Sequence, residues 1–100
     1  MDREMRVDLA IFKGDFLLSR NEYHVRSEEP VDDQSVCHLN YRLTEDGAEF
    51  IFSRSDNYPM RGAVQLPEPF KLFIPAVEST DWCSNEIGNY TFAYWCRLGA

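Results

Sequence analysis

Apolar and polar residues alternate along most of this chain with a period of two, the mark of strands with one buried face; helical periodicity is weak. Met5, Val7, Leu9 and Ile11 share one parity, and Asp2, Glu4, Arg6 and Asp8 share the other. This predicts a half-buried strand with a charged, mostly acidic outer row. Lys13-Gly14-Asp15 signals a turn before the apolar run Phe16-Leu17-Leu18. Tyr23 and Val25 then suggest a second strand, with a helix over 15–26 as the rival reading.

Ser27 to Gln34 reads as a polar loop. The clearest hairpin follows. Cys37, Leu39, Tyr41 and Leu43 alternate with Val36, His38, Asn40 and Arg42. After Thr44-Glu45-Asp46-Gly47, the return strand sets Ala48, Phe50 and Phe52 against Glu49, Ile51 and Ser53. Gly47 is expected to take a positive φ in this turn. Residues 55–62 form a loop, and Ala63 to Leu66 a short strand stopped by Pro67-Glu68-Pro69. Phe70 to Ile74 is a further strand stopped by Pro75. Proline cannot donate to a ladder, so these strands belong at sheet edges or ends. Ser79 to Gly88 is a connection with room for one helical turn. Tyr90, Phe92, Tyr94, Cys96 and Leu98, opposed by Thr91, Ala93, Trp95 and Arg97, form the strongest strand. The elements sum to a mainly β fold. The expectation is a single small antiparallel β-sandwich or barrel-like meander of six or seven strands, with at most one short helix, in one domain over residues 1–100.

Charge adds a direction. The 100 residues carry a net −7. Residues 1–50 hold 12 acids against 6 bases, and residues 51–100 hold 5 against 4. Such a balance disfavours direct binding to nucleic acid or to an anionic membrane, both of which draw on Lys and Arg. A charge-steered partner should be basic and should meet the N-terminal half. Met1-Asp2-Arg3-Glu4 leads directly into a strand pattern with no apolar run of signal-peptide length, and no stretch approaches a membrane span. The odd set Cys37, Cys83 and Cys96 lacks framework spacing. It reads as reduced, at least partly buried thiols in a cytoplasmic protein.

Candidate chemistry is sparse. His24 and His38 are the available imidazole bases, and Cys37-His38 are strand neighbours that point to opposite faces. No local Cys or His pair fixes a metal, and the paired acids fall in loops rather than facing across a cleft. No phosphate loop, nucleophile elbow or cofactor fingerprint appears. No enzyme, metal or cofactor is therefore expected, and binding surface remains. Ile51, Phe73 and Trp95 put apolar bulk on the nominally outer parity. Tyr58-Pro59-Met60-Arg61-Gly62 combines interface-rich residue types with a stiff proline.

The reading is a small acidic protein-binding inhibitor of a basic, nucleic-acid-handling partner, itself a protein or nucleoprotein complex. Phage-encoded anti-defence proteins, such as anti-CRISPR proteins, and immunity proteins against nuclease toxins work in this way. Glu28, Glu29, Asp32, Asp33, Glu45 and Asp46 would compete for phosphate-holding Lys and Arg, acting as a nucleic-acid mimic. Tyr58, Met60, Arg61 and Trp95 would supply the anchors. The row Asp2-Glu4-Asp8 is a further candidate for imitating a charged backbone. The alternatives are a small structural or assembly subunit, such as a virion component that self-associates through the apolar face, and a β-type ligand-binding module using Trp82 or Trp95 as a stacking platform.

Overall fold

The computed structural model describes residues 3–33, 38–53, 69–79 and 81–99. Its described residues form eight strands and no helix, so the mainly β expectation holds and the count of six or seven is corrected. The strands are β1 (Glu4–Lys13), β2 (Phe16–Val25), β3 (Val31–Asp33), β4 (His38–Leu43), β5 (Gly47–Ser53), β6 (Phe70–Pro75), β7 (Cys83–Ile87) and β8 (Tyr90–Gly99). They make two antiparallel sheets, in the orders β2-β1-β8-β7 and β3-β4-β5-β6. The chain divides accordingly into two compact units, residues 1–26 with 76–100, and residues 27–75. The short strand expected over 63–66 lies outside the described residues.

In the first unit β1 and β8 pair along their full lengths at the sheet centre. Partners in antiparallel strands share a face, so the register fixes which side chains sit together. Met5, Val7, Leu9, Ile11, Tyr23, Val25, Tyr90, Phe92 and Cys96 make one buried face. Both hairpin turns of this sheet need glycine. Gly14 and Gly88 each have φ of 58° at the first central position of a two-residue loop, the requirement of a type II′ turn. The Gly14 N–H also donates to the Asn89 carbonyl at 3.0 Å, which ties the two turns together. β1 and β2 shift register once: Ile11 faces Ser19 but Phe12 faces Leu17. Leu18 is thus the extra residue of a bulge, which brings Leu17 onto the outer face beside Phe12.

In the second unit Leu39, Leu43, Ala48, Phe50, Phe52, Leu72 and Ile74 form the buried face, as the alternation predicts. Ring stacking of Tyr41 on Phe50 and of Phe52 on Phe70 (centroids 5.5 and 6.3 Å apart) adds to it. β6, bounded by Pro69 and ending in Pro75, is an edge strand, as its prolines require.

The expected hairpin joins β4 to β5, but the reason for Gly47 differs. Positive φ among the described residues occurs only at Gly14 and Gly88. The turn is instead held by Thr44, whose N–H donates to the Gly47 carbonyl and whose Oγ1 accepts from the Gly47 N–H. Glycine is needed because a Cβ would overlap the Ile74 carbonyl oxygen and come within 3.0 Å of Pro75 Cα. The constraint is a close strand approach, not a backbone conformation.

Candidate functional site

Two surfaces collect the polar chemistry, one in each unit. The first is an acidic edge. β3 adds to β4 through Val31–Tyr41, Asp32–Asn40 and Asp33–Leu39 pairs. Upstream, the Leu43 N–H donates to the Ser27 carbonyl at 2.7 Å. Ser27 Oγ accepts from the Glu29 N–H at 3.0 Å, which turns the chain toward Pro30. Glu28, Glu29, Asp32, Glu45 and Asp46 are all exposed, and Asp33 is half-buried with its charge raising the Tyr41 phenol, which burial already pushes up. By sequence the 27–75 unit carries nine acids and four bases, −5, while the other carries eight and six, −2.

The second surface is the outer face of the sheet β2-β1-β8-β7. Its charged end is internally matched. Arg20 makes a two-pronged hydrogen bond to Asp8, Nε to Oδ1 and Nη2 to Oδ2, both 3.1 Å. That pairing pushes the guanidinium's affinity for its proton further up. Glu4 faces Arg26 at 3.2 Å, His24 at 3.1 Å and Arg6 at 3.7 Å. Desolvation would raise the Glu4 carboxyl, but the Arg26 hydrogen bond and the surrounding positive charge outweigh it and hold it below the ordinary range. The row proposed to imitate a nucleic-acid backbone is therefore not a free acidic row: Glu4 and Asp8 are neutralised by arginines, and Asp2 lies outside the described residues. His24 turns its second nitrogen to Glu22, 3.1 Å away, so carboxylates engage both nitrogens.

At the centre of this face stand Trp82 and Trp95, edge to face with centroids 6.3 Å apart. Arg20 lies over Trp82 at 5.2 Å and Arg97 over Trp95 at 4.9 Å. Trp82 arrives there because the β7 edge takes four residues from Ser79 to Cys83 while β8 takes two from Cys96 to Tyr94. The surplus places Trp82 over Trp95. Cys96 clamps this segment from the buried side: its N–H donates to Ser79 Oγ, its carbonyl accepts from the Ser79 N–H, and its thiol donates to the Val77 carbonyl at 3.2 Å. Burial pushes the Cys96 thiol up, which keeps it protonated. Cys96 and Cys83 are free thiols, but Cys83 is exposed, against the expectation of burial.

Three adjoining openings line the same face. The largest, 560 Å³, is bounded by Arg20, Glu78, Ser79, Trp82, Trp95 and Arg97. A second of 190 Å³ shares Trp95 and Arg97, and a third of 320 Å³, lined mainly by apolar groups, shares Arg20 and Trp82.

Of the sequence-derived site residues, Asp32 and Asp33 lie on the edge strand β3, Glu28 and Glu29 in the segment before it, and Glu45 and Asp46 in the turn between β4 and β5, while Trp95 lies on the other unit, half-buried beneath Arg97. Tyr58, Met60 and Arg61 lie outside the described residues. Of the outer-parity apolar residues, Phe73 is exposed while Ile51 is half-buried. Arg20 and Arg97 escaped sequence reading, because only the β2-β1-β8-β7 order brings them to the tryptophans. Compared with protein-family models, curated proteins and solved structures, the chain matches none.

Proposed function

We propose that the protein is a small acidic protein-binding inhibitor that occludes a basic, nucleic-acid-handling partner, in the manner of anti-defence or immunity proteins. The observation that carries this reading is the exposure of Glu28, Glu29, Asp32, Glu45 and Asp46 on the unit with net −5. Acids held on a strand and on hydrogen-bonded turns need little further ordering on binding, and they compete for Lys and Arg that otherwise hold phosphates. Neutralising the partner's phosphate-binding surface then blocks its substrate by occlusion, with no chemistry in the inhibitor. The free thiols of Cys83 and Cys96 suit a partner met in the reducing cytoplasm.

The test begins with the partner recovered by pull-down from the native host and identified by mass spectrometry. Its association rate is then measured against salt. Exchanging Glu28, Glu29, Asp32 and Asp33 for Lys should slow association by about tenfold at low ionic strength. The same exchange at Asp15, Glu22, Asp81 and Glu86, four exposed acids of the other unit, should change it little. A rate flat in salt and equal for both variants would sink the electrostatic reading.

A further inference from the structure

We infer that the tryptophan face of the 1–26/76–100 unit is a second recognition groove. It takes an extended segment of a partner protein that carries an Asp or Glu and, four residues away, an apolar side chain. This rests on the reading of the chain as a protein-binding protein, but on a different surface from the acidic edge.

Three arginines of this face are already matched: Arg20 to Asp8, and Arg6 and Arg26 to Glu4. Arg97, the fourth, has no carboxylate partner among the described residues; its contact is the ring of Trp95. Stacking holds the planar guanidinium in place, so its N–H fork is ordered before any ligand arrives and loses little freedom on binding. A carboxylate fits such a fork with two parallel hydrogen bonds.

The rings themselves are occupied. Arg20 covers Trp82, Arg97 covers Trp95, and the two indoles pack edge to face. They support arginines. A doubly charged phosphate is also poorly served, because Glu78 lines the same opening and Asp8 and Glu22 line the next. A single carboxylate balances Arg97 and, with half the charge, meets less of that repulsion.

The other end of the groove is apolar. Ala10, Phe12, Leu17, Trp82 and Ala93 line it, and the β2 bulge is what delivers Leu17 there. Leu17 and its neighbour Phe16 remain 47% and 67% exposed. Arg97 and Ala93 are four residues apart on β8, roughly 13 Å along a strand. An extended partner spans that distance in four residues with both side chains on one face, which sets the spacing.

Both tryptophans of the chain lie in this groove, so intrinsic fluorescence reports the site without a label. The probe is a nine-residue Ser/Thr peptide with Glu at position three and Leu at position seven. It should bind at least tenfold more tightly than its Gln counterpart and than a version with Leu moved to position six. Arg97→Gln, at an exposed position, should abolish the Glu-over-Gln preference while leaving the thermal unfolding midpoint in place. Leu17→Asn should remove the preference for Leu at position seven. Equal binding of all three peptides, or an unchanged preference in Arg97→Gln, would overturn the proposal. So would Arg97-dependent binding of inorganic phosphate or AMP at concentrations below those needed for the peptide. The variant with lysines at 28, 29, 32 and 33 should keep full peptide binding, so failure of the acidic-edge reading leaves this result intact, and the reverse.

Discussion

On the sheet β2-β1-β8-β7, Glu4 and Asp8 each face arginines at hydrogen-bonding distance, whereas Glu28, Glu29, Asp32, Glu45 and Asp46 of the 27–75 unit are exposed on β3, in the segment before it and in the turn before β5. The 27–75 unit also holds a buried, paired carboxylate. Glu49, only 9% exposed on the face of β5, meets Arg42 at 3.2 Å and Lys71 at 3.3 Å. Position explains the difference. A carboxylate in the middle of a sheet face has neighbours on two flanking strands and loses water, so it requires cations. An exposed carboxylate on an edge strand or turn keeps more of its water and depends less on cations. Acids of the first kind contribute to folding; acids of the second kind present surface that a partner can reach.

The largest effect expected on this comparison is at a glycine rather than an acid. Gly47→Val should destabilise by about 3 kcal/mol or more, because the added carbons collide with β6 backbone that is fixed by the ladder. Gly14→Ala meets open space and has only the left-handed conformation against it, about 1 kcal/mol. Urea denaturation of both variants checks the order. Equal losses would mean that the strand approach at Gly47 relaxes freely.

Next in size is Glu49→Gln, expected to cost about 1–2 kcal/mol at neutral pH through the loss of two charge-assisted hydrogen bonds. Desolvation raises the Glu49 carboxyl, but the bonds to Lys71 and Arg42 prevail and hold it below the ordinary carboxylate range. A group lowered in this way stabilises the fold above its unfolded pKa, and the contribution is lost as pH falls through the folded value. The gap between wild type and Glu49→Gln should therefore be full at pH 7 and close in acid below the ordinary carboxylate range. Glu28→Gln, at an exposed position, should change stability little at pH 7. A loss at Glu28→Gln as large as that at Glu49→Gln would break the distinction between face and edge.

Cysteine reactivity gives a smaller, kinetic contrast within the first unit. Cys83 should react with a thiol reagent in the folded protein, and Cys96 only on unfolding, since it is buried and donates to Val77. Mass spectrometry of peptides after timed labelling separates the two.

Legibility in the sequence followed the same division. Strands with one buried face, such as β1, β5 and β8, announce themselves by alternation, and their buried residues are those the parity selects. β3 and β7 do not. Val31-Asp32-Asp33 and Cys83-Ser84-Asn85-Glu86-Ile87 are edge strands with almost no buried side chain, so pairing with β4 and β8 makes them strands, not any pattern of their own. Hence 27–34 reads as a loop and 79–88 as a connection. The acids of the edge were named from sequence because exposed charge is local information. The Trp82, Trp95, Arg20 and Arg97 arrangement was out of reach because it depends on a strand order, a bulge and a two-residue surplus at once. The role of Gly47 was misread for a related reason: a turn residue's φ is a local expectation, while a clash with Ile74 is a tertiary fact.

The smallest expected effect concerns Arg20 and Asp8. Their geometry is favourable, with two hydrogen bonds of 3.1 Å, but the Arg20 side chain is 55% exposed. Water and salt screen a pair of this kind, so a double-mutant cycle with Arg20→Gln and Asp8→Asn should return a coupling of about 0.5 kcal/mol that shrinks as salt rises. Arg20 also lies over Trp82, so Arg20→Gln should change the tryptophan emission while Asp8→Asn, which leaves the guanidinium and ring in place, should change it less. This separates two roles for the same arginine. If the pair mainly stabilises the sheet, the coupling is large and both variants lose stability alike. If Asp8 mainly neutralises Arg20 so that Arg97 is left as the free cation of the groove, the coupling is small, and Asp8→Asn adds a second free cation beside the first. Asp8→Asn should then bind the Glu-bearing peptide more tightly than wild type, by a few fold, with an unchanged unfolding midpoint. A coupling above about 2 kcal/mol, or weaker peptide binding by Asp8→Asn, would show that Asp8 orders this face rather than tunes its charge.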